Sequence, residues 1–82
     1  MPDQLKADFS SLVLSIASSA AMSLGLAPDQ ESGETRIDKN MAKFNIDLLI
    51  MLQDKTKSNL TSDESHLVTS LIQDLQARFI NV

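Results

Sequence analysis

Met41-Ala42-Lys43-Phe44-Asn45-Ile46-Asp47-Leu48-Leu49-Ile50-Met51-Leu52 is the stretch on which the fold turns. At about 100° per residue its apolar side chains fall on two faces of a helix rather than one. Met41, Phe44, Leu48, Met51 and Leu52 form the first face, and Ala42, Ile46, Leu49 and Ile50 the second. Lys43, Asp47 and Asp54 occupy the main polar strip between them. A helix apolar over most of its circumference must be covered on more than one side, and a short chain has little with which to cover it. The leftover surface is expected to meet another copy of the chain. Met41, Phe44, Leu48, Met51, Leu52, Ile46, Leu49 and Ile50 are therefore the candidate oligomer interface.

Outward from this segment, Asp38 is a good N-cap, since its carboxylate can accept from free first-turn amides and oppose the helix dipole. The helix it opens runs to about Thr56. Lys57-Ser58-Asn59-Leu60 is then a connection short enough to make the flanking helices antiparallel neighbours. Thr61-Ser62-Asp63-Glu64 has the form of a capping box, in which hydroxyl and carboxylate satisfy each other's free backbone amides. Beyond it Leu67, Val68, Leu71, Ile72, Leu75, Phe79 and Val82 share one face, with His66, Ser70 and Gln73 opposite and an i,i+4 pair in Asp74 and Arg78.

Upstream, residues 27–38 carry Pro28, Asp29, Ser32 and Gly33 without apolar periodicity and read as a loop. Its end, Thr35-Arg36-Ile37, is β-branched enough to run extended and to pair with a strand of another copy. Before the loop, Leu5, Phe9, Leu12, Val13, Ile16, Ala20 and Leu24 fall in one arc, with Asp8, Ser11, Ser15 and Ser18 opposite. Gly25 supplies a left-handed C-cap and Pro28 prevents resumption.

Eighty-two residues make a single domain, 1–82, because a chain this short cannot support two cores. Hydrophobic residues are 43% and charged residues 22%, enough apolar surface to fold. The aromatics, 4%, are all Phe, so the core is built from aliphatic side chains and Met. Absence of Cys excludes disulfides, thiolate metal sites and a cysteine nucleophile, leaving packing, shared between copies, as the means of stabilisation. A net charge of −4 and pI near 4.6 repel nucleic-acid phosphates and anionic lipid, so neither nucleic acid nor membrane is an expected partner. The apolar run from Leu12 to Leu26 is short for a membrane span. A secretory reading fails on charge, since Asp3 and Asp8 stand against Lys6 ahead of a run broken by Ser15, Ser18, Ser19 and Ser23. A cytoplasmic location is expected.

Candidate chemistry is thin. His66 and Asp63 share a helix face at i,i+3, but Asp63 and Glu64 belong to the capping turn and a metal needs three or four converging ligands. His66 is expected in solvent. Asp47 and Asp54 lie on one strip, where Lys43 and Lys57 would neutralise them for acid/base work. Met22, Met41 and Met51 could form a plastic binding surface, though the spacing of Met41 and Met51 favours core or subunit interface. Ser11, Ser15, Ser19 and Met22 form a ridge that would allow close helix approach, or else a plain polar face. Asn59-Leu60-Thr61 matches a glycosylation acceptor, but Thr61 caps a helix. No phosphate-binding Gly-rich loop, nucleophile elbow or basic-aromatic cluster occurs. No catalytic, cofactor-binding or metal-binding residue is assigned.

Three stretches carry a likeness to a known family: Phe9-Ser10-Ser11-Leu12-Val13-Leu14-Ser15 ending at Leu24-Gly25, then Ile46-Asp47-Leu48-Leu49, then Lys55-Thr56-Lys57-Ser58-Asn59-Leu60-Thr61. With Gly33-Glu34 and the Leu67, Leu71, Leu75 series, the chain resembles the small bacterial family known as domain of unknown function 1844. It departs at Ser58, where glycine is expected, and at Ser32, where threonine is common before Gly33. The resemblance implies a bacterial cytoplasmic helical protein and supplies no catalytic residues.

The expected architecture is thus all-α, a three-helix chain of helix, long loop and helical hairpin that associates into a homo-oligomeric bundle, a dimer foremost. The expected function is a non-catalytic self-association and protein-interaction module with an unknown protein partner. The alternative is an oligomeric bundle holding an apolar small molecule in its core.

Overall fold

The computed structural model describes residues 7–28 and 32–82. Three helices account for most of them: α1, Phe9–Ser23; α2, Lys39–Lys55; and α3, Ser62–Ile80. Leu5 of the first apolar arc and Asp29 of the loop lie outside the described residues.

α1 begins later than its periodicity suggests. Asp8, read as a polar-face residue, is the N-cap, with extended backbone and a carboxylate that accepts from the Ser11 amide at 2.8 Å. At the other end Gly25 takes φ +78°, with Leu26 N–H donating to Ala21 O at 2.9 Å and Gly25 N–H to Met22 O at 3.1 Å. These two bonds are the Schellman pattern, which satisfies carbonyls the helix leaves open. A Cβ on Gly25 would also stand 2.9 Å from the Ile37 side chain. We expect Gly25→Ala to cost about 2 kcal/mol, combining left-handed strain with that contact, read as a lower urea midpoint at an unchanged slope.

Ile37 approaches because it forms an antiparallel bridge with Leu24, beside the 2.7 Å bond from Asp38 N–H to Ser23 O. The extended run before α2 thus pairs with the end of α1 in its own chain. Asp38 then caps α2, accepting from the Met41 amide at 3.1 Å. α2 ends where Thr56 turns its hydroxyl back to Leu52 O at 2.6 Å.

The α2–α3 connection holds a strained residue. Ser58 has φ +70°, a region that costs an L side chain about 1–2 kcal/mol and glycine almost nothing. Ser58→Gly is expected to stabilise by about 0.5–1 kcal/mol, the strain relief less the extra unfolded-state freedom, raising Tm by a few degrees in a thermal melt. α3 opens on the capping box: Glu64 N–H donates to Thr61 Oγ1 at 3.1 Å, and Thr61 N–H to Glu64 Oε1 at 2.9 Å.

The core takes Val13, Ala17, Ala20 and Leu24 from the α1 region, Ala42, Ile46 and Leu49 from α2, and Val68, Ile72 and Leu75 from α3. Ala17, Ala20 and Ala42 thin the packed faces of α1 and α2, so the two backbones can lie close. Leu12, expected on the buried arc, is exposed, because the buried line follows Val13, Ala17, Ala20 and Leu24 instead. The Cα extents are 37 × 34 × 15 Å. The short dimension is less than two helix spacings of about 8–10 Å, so the helices make a slab rather than a deep bundle.

Candidate functional site: the outer face of the second helix

α2 presents its two apolar faces differently. Ala42, Asn45, Ile46 and Leu49, at i, i+3, i+4 and i+7, are buried against α1 and α3. Ile46 and Leu49 were both included in the candidate oligomer interface. They are consumed by the protomer's own core and are closed to a partner while the fold persists. The face that remains is Met41, Phe44, Leu48 and Met51, spaced three, four and three residues apart. That alternation of three and four is the spacing of a seam along which one helix packs on another. Met41 is 49% exposed, Phe44 56% and Met51 42%, with Leu48 and Leu52 half-buried. Ile50 is also exposed, but it sits off this row beside the polar strip.

The neighbouring helices flank the row without covering it. α1 lies on the Met41 side, where Ser19, Met22 and Ser23 line a cavity of about 660 Å³ with Met41, Asn45 and residues around Asp38. Asn45 is the buried polar residue of this region, its Nδ2 donating to Met41 O at 3.1 Å. Sequence reasoning passed it over, since a polar side chain among apolar ones gives no sign of pointing inward. α3 lies on the other side, fixed by Gln53 Nε2 donating to Thr69 Oγ1 at 2.9 Å. There a smaller cavity, about 310 Å³, is lined by Lys43, Ile46, Asp47, Gln76, Phe79 and Ile80.

The polar strip is self-neutralised. Lys43 Nζ lies 2.8 Å from Asp47 and Lys57 Nζ 3.7 Å from Asp54, both pairs in solvent and each worth a few tenths of a kcal/mol by the general rule of about 0.2–1 for exposed pairs. Neither carboxylate faces the other as an acid/base couple. His66 is exposed on α3 beside a shallow polar groove with Ser62, Ser65 and Thr69, while Glu64 is held by the cap. Among the described residues no three His, Asp or Glu side chains gather as metal ligands. Nor, among those residues, is any helix long and apolar enough to cross a membrane. The serine ridge divides: Ser11 and Ser15 face solvent, while Ser19 lines the larger cavity and its carbonyl accepts from Ser23 Oγ at 2.9 Å.

The sequence pattern of a family described as a domain of unknown function, DUF1844, matches residues 6–81. The chain belongs to the DUF1844 family. No curated protein and no solved structure matches it. In this DUF1844 chain the stretches that carried the likeness are ones that shape the backbone. Leu24-Gly25 closes α1, Ile46 and Leu49 fill the core, and Lys55 to Thr61 spans the end of α2, the turn at Ser58 and the cap of α3. The exposed Met41, Phe44 and Met51 lie outside those stretches.

Proposed function

We propose that this DUF1844 chain is a non-catalytic helical module that works by self-association in the bacterial cytoplasm, with the outer face of α2 as its contact surface. The observation that carries the reading is the row Met41, Phe44, Leu48 and Met51, still open after three helices have closed on one another. Association would leave the acidic surface and residues 32–36 free for a further protein partner.

Light scattering over a micromolar concentration series tests this. The expected result is a mass of two chains, and a folded monomer throughout would remove the reading. A second reading, an apolar small-molecule carrier, draws on the cavity beside Phe79 and Ile80, whose ~310 Å³ lies at the lower limit of ligand pockets. Native mass spectrometry of the purified protein should then show a mass above that of bare chains.

A further inference from the structure

We infer that the partner on this face is the same helix of a second copy, lying antiparallel to it about a two-fold axis near residue 46. The inference rests on the self-association reading and adds the orientation and register.

The row is centred within one residue of the middle of its helix. Met41 and Met51 stand equally far from position 46, as do Phe44 and Leu48, and α2 itself runs from Lys39 to Lys55. Reversed upon itself, the row therefore meets its own complement with no overhang, Met41 opposite the partner's Met51 and Phe44 opposite the partner's Leu48. A two-fold contact requires such a self-complementary patch. A strange partner would have to supply a row of matching length and spacing, whereas a second copy supplies it automatically.

Lys55 decides the direction. It continues the same row beyond Met51 by four residues and is exposed. In a parallel pair it would face its own copy in the seam, charge against like charge, and the two helix dipoles would point the same way. In the antiparallel pair its aliphatic stem lies over the partner's Ile37, 61% exposed in the protomer, with the ammonium near the partner's Asp38. Glu34 and Asp38 offset Arg36 and Lys39 at that end, so the ammonium meets no net positive field. The antiparallel pair does bring Asp47 near its own copy. Each Asp47 already has Lys43 at 2.8 Å, which blunts the repulsion.

The chain has no cysteine, so single spin labels can be placed cleanly. Labels would go on Asp47→Cys and, separately, Asp54→Cys, both exposed positions. At 1.5 Å rise per residue and about 9 Å between axes, the antiparallel pair puts the 54 labels roughly 25–30 Å apart and the 47 labels under about 20 Å. That contrast, at a mass of two chains, is the expected result. Short distances at both positions would keep self-association and overturn the antiparallel arrangement. A mass above two chains would overturn the two-fold pair. A monomeric mass with no dipolar coupling at either position would overturn self-association itself and assign the face to a different protein.

Discussion

Leu49→Asp is expected to leave the chain largely unfolded at neutral pH. Leu49 is 0% exposed and sits where α2 meets both other helices, so a carboxylate there has neither water nor a partner. Losing the leucine alone should cost about 2–5 kcal/mol, the range for leucine truncations in cores. Burying the charge adds to that. A chain of 82 residues has only about 4–12 kcal/mol of total stability at 0.05–0.15 kcal/mol per residue, so the sum exhausts most or all of it. The pH dependence has a definite sign. Burial raises the folded-state pKa of the new carboxyl above its unfolded value near 3.9, so the charge penalty is absent below that value. It grows by up to about 1.4 kcal/mol per pH unit above it, until the folded pKa is reached. Circular dichroism at 222 nm, with Leu49→Ala and the parent at each pH, separates the two contributions. A Leu49→Asp protein as helical and as urea-resistant as the parent would show that this face of α2 is not core.

How far the sequence could be read depended on whether a residue acts through its own chemistry or through its neighbours. Asp38, Thr61 with Glu64, and Gly25 end or begin helices by local bonds, and all stand where their residue types implied. Asp8 is also a local cap, but an apolar arc that included Leu5 drew the first helix past it. Ser58 emerged as an odd residue only by comparison with the family pattern, and its φ of +70° gives the physical reason glycine is expected there. The division of α2 into two apolar faces was legible from period alone. Which face turns inward was not, because it depends on the surface α1 offers. Ala17 and Ala20 on α1 and Ala42 on α2 allow close approach, and that draws Ile46 and Leu49 into the core. Phe44 and Met51 lie on the opposite side of the helix from Ala42, Ile46 and Leu49 and stay outside. Asn45 could not be foreseen at all, since its burial follows from sitting over Met41 O beside the α1 serines.

Phe44→Glu is expected to separate copies without unfolding them. Phe44 is 56% exposed, so in the protomer glutamate replaces a side chain already half in water, and glutamate is a good helix former. The protomer's helicity should be unchanged. Between copies the effect is large because a two-fold contact carries the substitution twice. A buried Phe contributes about 150–250 Å², and the share open in the protomer is worth about 2–3 kcal/mol at 25 cal/mol per Å². Glutamate forfeits that twice and adds a charge facing the partner's Leu48. A loss of at least ~3 kcal/mol is a rise in the dissociation constant of at least ~100-fold. The variant should scatter as one chain at concentrations where the parent scatters as two. Its thermal midpoint should lose the parent's dependence on concentration, since association stabilises the folded state by mass action. Phe44→Leu, which keeps the row apolar, should retain the pair with weaker affinity. If Phe44→Glu instead loses helicity, Phe44 supports the protomer. If it keeps the parent's mass, the copies meet through some other surface, and the open row on α2 awaits a partner of another kind.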